Sequence, residues 1–81
     1  MSSVESEVRA IVSEVAELEP AQITPTGTLA DLGVDSLLQV EIAVEVERRY
    51  GFRFSEDELK RLSSFGSLVE LTQAKLNAAG S

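Results

Sequence analysis

Residues 32–50, LGVDSLLQVEIAVEVERRY, constrain the fold more than any other part of this chain. Asp35 is an amino acid that often caps helix N-termini, and Gly51 is placed to stop a helix at its C-terminal end. The residues between them alternate apolar and charged side chains at helical spacing. These signals predict a helix that begins at Asp35 or Ser36 and ends at Tyr50.

This predicted helix is apolar on two sides, although a core needs only one. Placing its residues at about 100° intervals separates two apolar groups by about 165°. The group suited to a core contains Gln39 as its one polar member, together with Leu38, Ile42, Ala43, Val46 and Tyr50. The other group is Leu37, Val40 and Val44, edged by Glu41, Glu47 and Arg48. An apolar centre with a charged rim is typical of a docking site, but the third or fourth helix or the loop could equally cover it.

A first amphipathic helix is predicted over residues 3–18. Ser2 and Glu5 have the spacing of a capping box, and Pro20 ends the helical pattern. The apolar positions recur every three or four residues, at Val4, Val8, Ile11, Val12, Val15 and Leu18. This stripe is predicted to face the core.

A long loop is predicted over residues 19–34, which contain both prolines of the chain. Such a loop is uncommon in a small domain and is often functional. A short helical turn is expected around residues 29–32. The predicted anchors of the loop on the core are Ile23, Leu29 and Leu32.

Two helices are predicted after Gly51. Phe52 and Phe54 bracket Arg53 in a short extended segment, which is expected to insert both rings into the core. Ser55 and Glu58 form a capping box for a short helix over residues 56–62, with Leu59 and Leu62 facing inward. Ser63 or Ser64 caps a fourth helix over residues 65–78, with Phe65, Leu68, Val69, Leu71, Thr72 and Leu76 patterned for burial, and residues 79–81 are expected to fray.

The predicted fold is therefore all-α. It is a small four-helix bundle with three longer helices, a short third helix and a long loop between helices one and two. A single domain is expected over residues 1–81, with its helical core at about residues 3–78.

Composition excludes several functions. The chain has no cysteine and no histidine, so disulfides, cysteine metal sites and a Ser-His-Asp triad are impossible, and a metal site is not expected. The net charge of −7 repels nucleic acid. There is neither a secretory signal nor an apolar run long enough to cross a bilayer, so no membrane partner is expected and the predicted location is cytoplasmic.

Ser36 has two interpretations. A serine at a helix start often only satisfies backbone N–H groups. Alternatively, it projects outward beside amides that favour a bound phosphate, with Gly33 allowing close approach upstream. No neighbouring residue is placed to deprotonate Ser36 for catalysis, so the chemistry that fits is modification by a visiting enzyme.

The run Leu32-Gly33-Val34-Asp35-Ser36-Leu37, followed by the helix with Val40 and Glu41, resembles the acyl carrier protein family. The resemblance extends over nearly the whole chain. It implies that a separate phosphopantetheinyl transferase esterifies Ser36 with 4′-phosphopantetheine from coenzyme A. The terminal thiol of that arm would hold acyl groups as thioesters, and Asp35 would be the motif acid.

The resemblance also implies partners. Leu37, Val40, Glu41, Val44 and Glu47 match the partner-recognition helix of the family, and Arg48 borders them. The expected partners are an acyltransferase or acyl ligase and a ketosynthase or other acyl-processing enzyme. The carrier itself is expected to be non-catalytic and monomeric.

Three departures from fatty-acid carriers favour polyketide or related specialised biosynthesis. Leu38 stands where an acid is usual, Arg48 and Arg49 occupy a usually acidic stretch, and Thr28 lies where many have an aromatic residue. An aminoacyl or peptidyl carrier of nonribosomal assembly and a fatty-acid carrier remain alternatives, although the acid before Ser36 speaks against the former. A different class, an unmodified helical adaptor that uses the apolar strip only for binding, also remains open.

Overall fold

The computed structural model describes residues 3–24 and 26–80 and confirms the predicted all-α bundle. Its α-helices are α1 (Val4–Ala16), α2 (Ser36–Tyr50), α3 (Glu56–Lys60) and α4 (Phe65–Gly80). Two 3₁₀ turns, Pro20–Gln22 and Ala30–Leu32, lie in the loop between α1 and α2. Within the described ranges there is no regular strand, and residues 28 and 64 form an isolated β-bridge. Helix α1 packs against both α2 and α4.

Helix α1 is shorter than the predicted 3–18. Ser3 caps it by accepting the N–H of Ser6 at 3.1 Å, whereas the predicted capping residue Ser2 lies outside the described residues. The helix ends because Glu17 adopts a left-handed backbone, with φ of 56°. The N–H of Leu18 then donates 2.9 Å to the Ser13 carbonyl, which closes the helix end. The prediction that Pro20 ends the helix was therefore wrong, and Pro20 begins the first 3₁₀ turn instead.

One arginine of α1 fixes the first loop. The guanidinium of Arg9 donates to the carbonyls of Pro20 (3.0 Å) and Ile23, and it forms an ion pair with Glu5 at 2.9 Å. It also lies 4.8 Å from the ring centre of Phe65 in α4. A single side chain thereby connects α1, the loop and α4.

The apolar residues of the loop behave largely as predicted. Ile23 and Leu29 are buried and Leu32 is half-buried, and the expected turn around residues 29–32 is the second 3₁₀ turn. The N–H of Leu29 donates 3.0 Å to the carbonyl of Ser63, so the loop is also bound to the connection between α3 and α4. The loop is therefore held near its two 3₁₀ turns, and the second of these fixes where α2 begins.

Helices α3 and α4 have the predicted caps but different ends. Ser55 and Glu58 form the capping box of α3, which ends at Lys60 rather than at residue 62 because the chain tightens into i→i+3 bonds there. Ser64 and Ser67 exchange reciprocal N–H···Oγ bonds at the start of α4. Helix α4 continues to Gly80, so the expected fraying at residues 79 and 80 is wrong, and residue 81 lies outside the described part.

The core is built from α1, α2, α4, the loop and the segments on either side of α3, while α3 itself contributes no buried residue. Only one of the two rings predicted to enter it does so: Phe54 is buried, whereas Phe52 is half-buried and stacks on Tyr50 at 6.1 Å. In α4, Val69, Leu71 and Leu76 are likewise half-buried. The buried residues are Val8, Ile11, Val12, Ile23, Leu29, Val34, Ile42, Ala43, Val46, Phe54, Leu62, Phe65, Leu68 and Thr72.

Candidate functional site

A tight turn sets the position at which α2 begins. Gly33 has a φ of 83°, a left-handed conformation that side chains disfavour, although no atom lies within 4 Å of where its Cβ would be. The backbone torsion, rather than space, therefore explains glycine here. The next residue, Val34, is buried, and its N–H donates 3.0 Å to the carbonyl of Leu29. Burial of Val34 leaves the following two residues facing solvent.

Asp35, and not Ser36, caps the start of α2. Asp35 is the N-cap, and its Oδ1 accepts the N–H of Leu38 at 2.8 Å. Ser36 is the first helical residue, and it is exposed. Its hydroxyl has no hydrogen-bond partner among the described residues, because Asp35 already caps the helix.

The helix start fits a phosphodiester on Ser36. Within the described ranges, the backbone N–H groups of Ser36 and Leu37 have no acceptor. These two unbonded donors lie at the positive end of a fifteen-residue helix, where an anion is favoured. No group of His, Cys, Asp or Glu that could hold a metal ion occurs in the part of the chain that the structure describes.

The second apolar group of α2 is exposed. Leu37, Val40 and Val44 retain 67%, 49% and 39% of their accessible surface. The alternative that another helix or the loop covers this side is thereby excluded for the described residues. We call these three residues the apolar strip. Val15 of α1 joins Val40 and Val44 in a shallow groove of about 330 Å³, a contribution that the helical pattern of α2 alone could not reveal.

The core side of α2 is also as predicted, with one informative polar residue. Ile42, Ala43 and Val46 are buried, while Leu38 and Tyr50 are half-buried. Gln39 lies one turn after Ser36, and its amide donates to the carbonyls of Leu59 (3.3 Å) and Leu62 (2.6 Å) at the end of α3. Its place among apolar residues was the sequence signal for this contact, although the acceptors could not be predicted.

The charged rim of the strip is not uniform. Glu41, Glu45 and Arg48 are exposed. Glu47, predicted as a docking residue, is half-buried, and its Oε2 accepts the N–H of Phe54 at 2.7 Å. Glu47 therefore also joins the end of α2 to the segment before α3, a structural role that sequence reasoning missed.

The family described as "Phosphopantetheine attachment site" matches residues 6–72. The chain is also 38% identical, over 71 residues, to the polyketide-8 synthase acyl carrier protein 2 of Streptomyces avermitilis; the match covers 86% of this chain and 82% of that protein. The chain belongs to the acyl carrier protein family. A carrier of this family holds acyl intermediates on covalently bound 4′-phosphopantetheine.

The chain is also similar to a segment of a large synthase and to a solved domain structure. It is 39% identical over 72 residues to the non-reducing polyketide synthase pkdA of Emericella nidulans, covering 89% of this chain but 3% of that synthase, so it corresponds to one small segment. The NMR structure of the HMG-ACPI domain from the CurA module of Lyngbya majuscula matches with a TM-score of 0.83 at 19% identity, covering 96% of this chain and 79% of that domain. That likeness concerns the fold. No helix among the described residues is long and apolar enough to span a bilayer.

Proposed function

We propose that Ser36 is the attachment point of 4′-phosphopantetheine in this carrier. The observation that carries the proposal is an exposed hydroxyl without a hydrogen-bond partner among the described residues, at the first turn of α2. Ser55 and Ser64 also lie at helix starts, but each is itself the cap and its hydroxyl accepts a backbone N–H. Ser36 is released from that task by Asp35.

The attachment reaction needs an external base. The hydroxyl oxygen of Ser36 would bond to the phosphorus that bears the pantetheine arm of coenzyme A, while the bond from that phosphorus to the adenosine bisphosphate portion breaks. The hydroxyl proton passes to the transferase, since the chain has no histidine or cysteine and Asp35 is engaged as the cap. The two free N–H groups of the first turn favour the resulting phosphodiester.

The apolar strip and its rim form the proposed partner surface. Its members are Leu37, Val40, Glu41, Val44, Glu47 and Arg48, along the helix that begins with Ser36. An enzyme docked there lies beside the root of the arm and can receive the thioester cargo. The expected partners are a phosphopantetheinyl transferase, an acyltransferase or acyl ligase, and a ketosynthase or other acyl-processing enzyme. The carrier works as a monomer and catalyses nothing itself.

The proposed pathway is of the polyketide type. The relatives from Streptomyces and Emericella are named as parts of polyketide synthases, and they support this assignment. The rim supports it too, because Arg48 and Arg49 make the end of α2 less acidic than is usual in fatty-acid carriers. Leu38 in place of an acid points in the same direction.

Mass spectrometry tests the attachment point. The unmodified protein is incubated with coenzyme A and a phosphopantetheinyl transferase of broad specificity. The wild type should gain the mass of one phosphopantetheine, and Ser36→Ala should gain nothing. Ser63→Ala, at another exposed serine, is the matched control and should be modified like the wild type. No gain in the wild type, or an unchanged gain in Ser36→Ala, would contradict the proposal.

A further inference from the structure

The C-terminal end of α2 carries a second groove, of about 710 Å³. Its balance of charged residues is opposite to that of the groove beside Val15 and Val40. The second groove begins at Val44, where the apolar strip ends, and continues past Gly51 to Phe52. Its charged walls are Arg48, Arg53 and Glu47, so arginine predominates. The groove beside Val15 and Val40 has the reverse balance, with Glu41 and Glu45 against the same Arg48.

The two arginines of this groove are available to a partner. Both are exposed, and among the described residues neither forms an ion pair. Glu47, the one acid of this groove, forms no ion pair with either of them, and its Oε2 accepts the N–H of Phe54 at 2.7 Å. Two unpaired guanidinium groups therefore flank an apolar floor in a chain whose net charge is −7.

We infer that the partner of this carrier docks across both grooves, with an apolar side chain over Val44 and a carboxylate facing Arg48 and Arg53. The inference rests on the proposed docking role of α2 and adds the charge of the partner surface. Arginine binds carboxylates through a planar fork, so two arginines at one rim favour an acidic group there. The acids near Val40 favour a basic group at the other end, and the two opposite charges together fix the direction in which the partner lies along α2.

The inference can be tested without the arm or the native partner. Two synthetic helical peptides share one leucine face and one Lys at the same end, placed to face Glu41 and Glu45. They differ only in two residues at the other end, which are both Glu or both Lys. Each is titrated into the unmodified, isotopically labelled protein, and backbone amide shifts are followed by NMR. The amides of residues 44–53 should shift with the Glu peptide, which should bind about threefold more tightly at low salt, as expected for exposed ion pairs. The difference should shrink as salt rises.

The overall charge of the chain makes this a demanding test. Long-range attraction to a chain of −7 favours the Lys peptide, so a preference for the Glu peptide must come from the local arginines. The double variant R48E/R53E should reverse the preference. The control R61E makes the same type of charge change at an exposed arginine outside both grooves and should keep the preference. Circular dichroism checks that each variant remains helical.

Several results would overturn the inference. These are equal affinity for the two peptides, tighter binding of the Lys peptide, no binding of either peptide, or shifts confined to residues outside 44–53. Concentration-dependent shifts of the same amides without peptide would make a second copy of the chain the occupant instead. None of these results concerns Ser36, so failure here is distinct from failure to gain phosphopantetheine.

Discussion

Tyr50 joins the last turn of α2 to α1. Its hydroxyl donates 2.6 Å to Oε2 of Glu7, and its ring is half-buried against Phe52. Burial, and after it the hydrogen bond to Glu7, raise the pKa of Tyr50 to about 12. Both causes act against the phenolate, because it would lose solvation and repel the carboxylate that its proton now satisfies.

A raised pKa makes this contact sensitive to alkali. The unfolded chain loses the tyrosine proton near pH 10, whereas the folded protein keeps it to about pH 12. The unfolded state therefore binds fewer protons between these values, and the contribution of Tyr50 to stability, complete below pH 10, is lost as pH rises to 12. Because the chain has one tyrosine, its tyrosinate absorbance measures the ionisation directly.

The expected result is a higher midpoint in native protein than in concentrated guanidinium chloride. Glu7→Gln should lower the native midpoint, since it removes the charge while keeping an acceptor. Equal midpoints in the folded and unfolded protein would mean that the contact with Glu7 does not persist in solution.

Individual roles could be predicted from the sequence only where the partner lies close in the chain. Asp35 as a cap and Gly51 as a stop depend on neighbours within one turn, and the structure has both. Arg9 reaches a carbonyl 14 residues away, and Gln39 reaches one 23 residues away. Helical periodicity describes one element at a time and cannot name such acceptors.

Helix α2 has one buried side and one exposed apolar side. Val46 is fully buried, while Val40, on the opposite side, keeps 49% of its surface. The same substitution can therefore be made on both sides of a single helix. The exposed side is available to partners because burial of the other side already holds the helix in place.

Truncating these two valines should have unequal effects. Val46→Ala should reduce the free energy of unfolding by about 1–3 kcal/mol, since it leaves a cavity in the core. Val40→Ala should change it by no more than about 0.5 kcal/mol, because it removes surface that water already contacts. Urea unfolding followed by circular dichroism measures both. Similar losses in the two variants would mean that the strip is buried in solution, and the docking proposal would fail with it.

The four helices could be predicted because their caps and apolar spacing are local signals. The sequence alone shows the capping box of Ser55 and Glu58 and the glycine that ends α2, and the structure has both. The end of α1 could not be predicted, because the left-handed backbone of Glu17 is costly for that residue type and sequence gives no sign of it. The prediction that both rings are buried was confirmed for Phe54 and wrong for Phe52, because only the packed structure decides which ring fills the available space.

For the whole molecule, charge is the least balanced property. Fourteen acids face seven bases, and two ion pairs are formed among the described residues. Most of the remaining acids lie exposed on a molecule with a radius of gyration of 11.6 Å. Their repulsion opposes compactness, and salt screens it.

Added salt should therefore stabilise this protein. Raising sodium chloride from about 20 to about 200 mM should raise Tm by on the order of 2–5 °C, measured by thermal circular dichroism. Glu45→Lys reverses one exposed charge beside Glu41 and should reduce the response. A Tm that does not change, or that falls with salt, would show that attraction between opposite charges outweighs repulsion.

The amide of Gln39 has a consequence for how the molecule can open. Helix α3 has five residues, too few to be stable alone, and it depends on that amide, on the burial of Leu62 beside it and on the ion pair between Glu58 and Lys75 at 2.8 Å. Unfolding α3 locally costs those contacts, whereas unfolding α1 costs the core. Helix α3 is thus expected to have the lowest free energy of local unfolding, and it lies against Gln39, one turn after Ser36. A change of shape near Ser36, the proposed attachment point, needs no separate hinge, because unfolding of the shortest helix allows it.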